Sequence, residues 1–159
     1  MNRFGLRSVW PAAGALLAMA MAITGCSTKP LPTEVTGTLQ AATNLNPSTS
    51  KRPSPLLVRV YELKSVTAFN NADFVSLYQR DQAELGTEMV GREEVILNPG
   101  DTRPINKLGG PETRFIGVFA AYRDLDRAKW RSVLAIQPGQ KQHILINAEE
   151  LSISAVVVK

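Results

Sequence analysis

Few residues of this chain are of a type that does chemistry: a single cysteine, Cys26, a single histidine, His143, and two close carboxylate pairs, Asp81 with Glu84 and Glu93 with Glu94. A zinc site asks for about four ligands. His143 lies in a strand candidate beside Lys141 and Leu145 with nothing else at ligand spacing, so no metal site is expected. General acid–base work by a carboxylate pair needs both groups on one face, whereas adjacent strand residues such as Glu93 and Glu94 point to opposite faces. Both pairs, Asp81 included, therefore read as solvated charge. The serines gather near the N-terminus and in a polar loop, without a nucleophile elbow or a partner base. Gly100 and Gly109-Gly110 lack a following P-loop lysine and read as turns, not phosphate cradles. No catalytic residue emerges, and the chain is expected not to be an enzyme, with no cofactor and no small-molecule substrate.

The pI of about 9.5 raises nucleic acid as a partner. No cluster of Lys and Arg with interleaved aromatics and no reader motif accompanies it, which argues against that class.

The remaining chemistry belongs to Cys26. Arg3 and Arg7 precede an uncharged stretch from Val9 to Gly25 that reads as the apolar region of a signal peptide. That stretch barely reaches the roughly 17 residues needed to span a bilayer, and Pro11 interrupts it, against a transmembrane helix. An ordinary secretory signal is disfavoured because secreted domains seldom keep one unpaired thiol. Ile23-Thr24-Gly25-Cys26 resembles the lipobox of bacterial lipoproteins. The resemblance implies cleavage between Gly25 and Cys26, with diacylglycerol on the sulfur and an acyl chain on the new amino terminus. At roughly 0.8 kcal/mol per buried methylene, three chains make a permanent anchor. Ser27 stands where Asp commonly signals inner-membrane retention, which implies sorting to the outer membrane, facing the periplasm.

Residues 1–25 would thus be removed, leaving 134 of the 159 residues with a charge of +2, the precursor's +4 less Arg3 and Arg7. That length suits one domain with a real core. Residues 26–33 are the lipidated N-terminus and a polar, proline-marked linker, extended and short. Residues 34–159 read as the folded domain. Period-two alternation marks strands at Glu34 to Ala42, with Val35, Gly37, Leu39 and Ala41 on one face, and at Leu56 to Leu63. Between them lies a turn-rich insertion, residues 43–55, read as unstructured and long enough to be functional.

A helical insertion at about residues 66–85 follows, with Asn70 or Asn71 as cap and Phe74, Leu77, Tyr78 and Leu85 as an apolar stripe that packs on the sheet. Further strands are expected at Glu93 to Leu97, Thr102 to Lys107, Arg114 to Tyr122, Trp130 to Ile136, Lys141 to Asn147 and Leu151 to Val158. Trp130 is read as core. About eight short strands with Gly/Pro turns and one helical excursion give a mainly β fold, an antiparallel β-sandwich.

The lipobox, the run Lys51-Arg52-Pro53-Ser54-Pro55-Leu56-Leu57-Val58-Arg59-Val60-Tyr61-Glu62-Leu63 and the segment Ala72-Asp73-Phe74-Val75-Ser76-Leu77-Tyr78 occur in this order. Arg92-Glu93-Glu94 before Leu97-Asn98-Pro99-Gly100, Gly117 to Leu125, and Ala128-Lys129-Trp130-Arg131 follow them. Together they resemble the outer-membrane lipoprotein family of bacterial type VI secretion systems, TssJ/SciN. The resemblance implies a transthyretin-like sandwich of two four-stranded sheets, no catalysis, and binding to the periplasmic C-terminal region of the inner-membrane subunit TssM. In the family the loop between the first two strands contributes to that contact, which maps here onto residues 43–55 and, within them, Asn46, Pro47, Ser48, Lys51 and Arg52. Two other readings share parts of the pattern. One is a pilot or assembly lipoprotein of another envelope machine. The other is a lipid-anchored small-molecule-binding protein with a ligand between the sheets, against which the lack of convergent polar residues counts.

Overall fold

The structure, a computed structural model, describes residues 33–158. The signal peptide, Gly25, Cys26, Ser27 and nearly all of the linker lie outside the described residues. Eight strands form two four-stranded sheets. In chain order these are β1 (Glu34–Ala41), β2 (Leu56–Leu63), β3 (Met89–Leu97), β4 (Thr102–Leu108), β5 (Phe115–Ala120), β6 (Arg131–Ala135), β7 (Lys141–Ala148) and β8 (Ile153–Val158). One sheet has the order β4-β1-β7-β8, the other β3-β2-β5-β6.

All neighbours are antiparallel except β1 and β7, which run parallel over their whole length, from Glu34 opposite Lys141 to Ala41 opposite Ala148. The fold class read from the sequence is the one observed, with that single parallel pair inside it. Alternation tells which residues face inward but carries no information about strand direction.

The two sheets close over Val35, Leu39, Val58, Val118, Ile144 and Ile146, none more than 2% exposed. β2 and β5 are buried on both faces, because two helices cover the outer side of their sheet. These are α1 (Thr67–Asn71) and α2 (Phe74–Leu85). Under them a second core gathers Tyr61, Leu63 and Phe119 with Phe69, Leu77 and Leu85. Phe74 lies 5.1 Å from Phe119, and Trp130 meets both rings edge-on. The expected stripe thus packs through Phe74 and Leu77, while Tyr78 stays 46% exposed and stacks on Phe74. Trp130 packs against both cores. Gly117 makes the close approach possible: a Cβ there would sit 2.8 Å from Leu63 Cδ1 and 3.3 Å from the Phe69 ring.

Two expectations are corrected. The cap of α2 is Asp73, whose Oδ1 accepts from the Ser76 amide at 2.9 Å while Oδ2 accepts from the Ser76 hydroxyl. Asn70 and Asn71 are consumed in α1, a turn too short to show a period of its own. Asp81, read as solvated, is 5% exposed. It accepts from Arg92 Nη1 at 2.8 Å and from the Tyr61 hydroxyl at 2.8 Å, with Arg59 Nη1 at 3.4 Å.

The reason lies in α2 itself. Arg80 leaves helical geometry (φ −146°, ψ 38°), and Asp81 Oδ1 takes the amide of Gln82 at 2.9 Å beyond the break. Before the break, Arg59 Nη1 donates to the carbonyls of Leu77 and Tyr78. An ion cluster therefore splints an interrupted helix onto β2 and β3. Arg131 does the same for α1, donating to the carbonyls of Phe69 and Ala72 at its C-terminal end.

Burial works against the charge on Asp81, yet the bonds from Arg92 and Tyr61 and the charges of Arg59 and Arg92 outweigh it and hold its carboxyl below the ordinary value of 3.8. A depressed folded value means that this stabilisation is complete above about pH 4 and is lost as pH falls through the folded value. Asp81→Asn is expected to cost about 3 kcal/mol at neutral pH by taking from Arg92 its carboxylate and from Arg59 one of two, the other being Glu94 at 2.6 Å. In urea unfolding the gap to the wild type should shrink as pH drops below 3.8; a gap independent of pH would remove the charge from the account. Gly117→Val should cost about 2 kcal/mol through overpacking against Leu63 and Phe69, measured the same way.

Candidate functional site

β1 starts at one end of the sandwich and finishes at the other, about 26 Å away for eight residues. The starting end is pinned by Gly139 N donating to Thr33 Oγ1 and by Glu34 N donating to the Gln140 carbonyl. At the far end lie the 43–55 loop, residues 123–127 and the turn at Glu149 and Glu150. The N-terminal segment therefore enters at the pole opposite the loop.

Far from unstructured, the 43–55 loop is ordered by its own bonds. Leu45, fully buried, plugs the end of the inter-sheet core. Ser54 N donates to the Leu45 carbonyl, Ser48 N to that of Arg52, and Lys51 N to that of Ser48. Asn46 and Lys51 adopt positive φ, 46° and 59°, which let the chain double back. The composition of turn formers was legible as a loop, but bonds such as these between its two arms were not.

The five residues expected to meet a partner separate into two roles. Asn46 is 2% exposed. Its amide nitrogen donates to the Pro55 carbonyl at 2.9 Å, its side-chain oxygen accepts from the Arg123 amide at 3.0 Å, and its backbone N–H reaches the Glu150 carbonyl. These bonds make it the rivet that ties the loop to its neighbours. At 2% exposure its side chain faces the protein, with one donor and one acceptor bond made there. Pro47, Ser48 and Lys51 face an open cleft of about 800 Å³, and Arg52 is exposed on the loop without lining it.

The cleft's other wall is Arg123, Asp124, Leu125, Asp126 and Arg127, with Glu150 and Asn44 at the base. These residues were missed: the sequence reading gave the segment no site role beyond the place of Gly117 to Leu125 in the family pattern. Its charge density was a signal, but its closeness to residue 48 was not visible in the sequence. Arg127 Nε donates to Asp124 at 2.7 Å, and that bond holds the Asp124 carboxyl below its ordinary value. Asn44 donates to Glu150 at 2.9 Å. Tyr122, whose hydroxyl donates to the Glu149 and Ser152 carbonyls, clamps the turn behind; burial keeps this phenol above its ordinary pKa.

Nothing in this arrangement pairs a nucleophile with a base. Among the described residues no three His, Cys, Asp or Glu side chains gather to hold a metal ion, and no helix is long and apolar enough to cross a membrane. His143 sits exposed with its Nδ1 3.2 Å from Thr36 Oγ1. The inter-sheet space where a small ligand would sit is filled by Val58, Ile116, Val118, Ile144 and Leu45, all fully buried.

Comparison with known proteins gives a consistent result. Residues 33–151 match the family described as type VI secretion lipoprotein (VasD, EvfM, TssJ). The fold is similar to that of the T6SS lipoprotein TssJ1 from Pseudomonas aeruginosa, with 42% identity, a TM-score of 0.77 and coverage of 80% of this chain and 98% of that one. It is similar to Serratia marcescens Lip, described as a membrane bound component of the type VI secretion system, at 28% identity and TM-score 0.69, covering 81% and 98%. A chain in a structure described as the T6SS protein TssM C-terminal domain from EAEC shares the fold at 24% identity and TM-score 0.64, covering 78% and 99%. A comparison with curated proteins gave no match.

Asn46→Ala is expected to cost about 2 kcal/mol for two buried bonds at roughly 1 kcal/mol each. Asn46→Gly, which tolerates φ 46°, should cost about 1 kcal/mol less. Equal losses in thermal unfolding would show that backbone geometry plays no part.

Proposed function

The chain belongs to the type VI secretion lipoprotein family, whose members are structural and not enzymes, and from that premise we propose that it is the outer-membrane anchor of a secretion complex. In this reading Cys26 follows cleavage after Gly25, carries diacylglycerol and an N-acyl chain such as palmitate, and with Ser27 behind it is sorted to the outer membrane. The loop of residues 43–55 then engages the periplasmic C-terminal region of a TssM-type inner-membrane subunit through Pro47, Ser48, Lys51 and Arg52, with Asn46 holding their shape.

The observation that carries the reading is polarity. The linker meets the domain at Thr33, and the cleft lies at the opposite pole, some 26 Å along β1. A domain hung from lipid by seven linker residues, about 23 Å at full extension, therefore presents its loop away from the membrane, toward a partner rising from below. Order within the loop lowers the entropy lost on binding, and confinement to a membrane plane raises effective concentration around an oligomeric partner.

In cells, Cys26→Ser should abolish secretion and membrane retention while the purified variant still unfolds like the wild type and still binds the TssM-type periplasmic domain in solution. Mass spectrometry of the native protein should find Cys26 as the first residue, triply acylated. Full secretion by the serine variant, or an unmodified N-terminus, would overturn the anchor.

A further inference from the structure

Each sheet ends in two edge strands, whose free backbone groups invite pairing and which proteins commonly blunt with charge or proline. β3 carries Arg92, Glu93 and Glu94, β4 carries Arg103 and Pro104, and β6 carries Arg131. β8, Ile-Ser-Ala-Val-Val-Val, has neither charge nor proline. Its start is covered where Ile153 N donates to the Lys129 carbonyl; beyond that, it pairs with β7 alone. Val156, Val157 and Val158 are 47%, 43% and 42% exposed, a run of apolar side chains open on both faces of the strand. Leu145, directly across from Val156 on the outer face, extends the run.

The patch lies near the pole at which β1 begins. Through β7, Val158 stands level with Thr36 and Val156 with Thr38. Two strand spacings across and three residues along put Val158 about 14 Å from Thr33. The seven-residue linker reaches about 23 Å, so a chain tethered at Cys26 can lay this edge on the lipid surface with the sandwich intact. A second copy is the other occupant that an open edge admits. Antiparallel pairing of β8 with its twin would send the two Thr33 ends to opposite poles, away from a shared membrane. Among the described residues the charges beside the patch are engaged: Lys141 pairs with Glu34 at 3.7 Å, and His143 is bonded to Thr36. Lys159 follows Val158 in the sequence, outside the described residues.

We propose that Val156, Val157 and Val158, with Leu145, form a membrane-contact patch that rests in the headgroup region of the phospholipid leaflet holding the anchor. The proposal rests on the anchor reading given above and adds to it an orientation: the sandwich tilts onto its β8 side with the 43–55 loop clear of the surface. Three half-exposed valines offer too little apolar area to hold a free domain at a membrane. The tether supplies the local concentration at which so weak a contact is kept.

The acylated chain has no free thiol once Cys26 is a thioether, so a nitroxide can be attached to a single introduced cysteine. Three positions serve: Val157→Cys, Ser48→Cys on the loop, and Val75→Cys, an exposed valine of α2 that controls for the label's own affinity for lipid. In phosphatidylcholine vesicles, power-saturation EPR should find the label at position 157 more accessible to oxygen than to a water-soluble nickel chelate, with the reverse at positions 48 and 75. Adding Val156→Ser and Val158→Ser should abolish the contrast at position 157. Equal water exposure at all three positions, in a chain that still floats with the vesicles, would overturn the patch and leave the anchor reading intact. Dipolar broadening between labels at position 157 would assign the edge to a second copy and overturn the lipid contact. Failure of the native chain to float with the vesicles would overturn the anchor reading and this inference with it.

Discussion

The parallel pairing of β1 with β7 is the constraint from which the rest of the molecule's arrangement follows. Because β1 runs in the same direction as β7, the segments that follow the two strands lie at the same end of the sheet. The 43–55 loop is a full strand length from Thr33 because β1 separates them. Had β1 run the other way, the loop would lie at the end away from the turn that follows β7. The same pairing puts the Glu149–Glu150 turn after β7 beside the residues that follow β1, which is why Asn46 can reach the Glu150 carbonyl.

The two sheets are not equivalent. One carries helices on its outer face, and this adds a second core that makes β2 and β5 interior strands in every direction. A broken helix is a weak cover, and the structure compensates with charge: Arg59 and Arg92 converge on Asp81 across the Arg80 interruption. The arrangement explains how a polar stretch such as Gln79-Arg80-Asp81-Gln82 stays attached to an aromatic surface. It leaves the cleft end of the molecule to be organised separately, by Asn46 and Tyr122, through bonds to backbone groups and not through burial alone.

The strands were legible because half-buried strands alternate, and Val35, Leu39, Val58 and Val60 face inward as their period requires. β3 begins earlier than expected, at Met89, because Gly91 and Arg92 carry no apolar alternation yet pair with Glu62 and Tyr61. Asp81 was misread for a related reason. A carboxylate in a polar run looks solvated until the guanidinium groups of Arg59, 22 residues earlier, and Arg92, 11 later, are brought against it. The loop was legible as an insertion of unusual length and composition, but its internal order and its second wall were not.

What the sequence determined alone is whatever depends on residues close together in the chain: the lone cysteine behind an apolar run, the strand periods, the turn-forming insertion and the absence of a catalytic set. Only the tertiary structure decided which of the loop's polar residues point inward, that Arg123 stands beside Asn46 across 77 positions of chain, and that the turn after β7 meets the loop after β1 at one end. The physical reason is that side-chain periodicity is a local property of the backbone. Strand direction, sheet order and the pairing of distant charges are settled by which long-range contacts bury the most apolar surface while leaving no polar group unsatisfied.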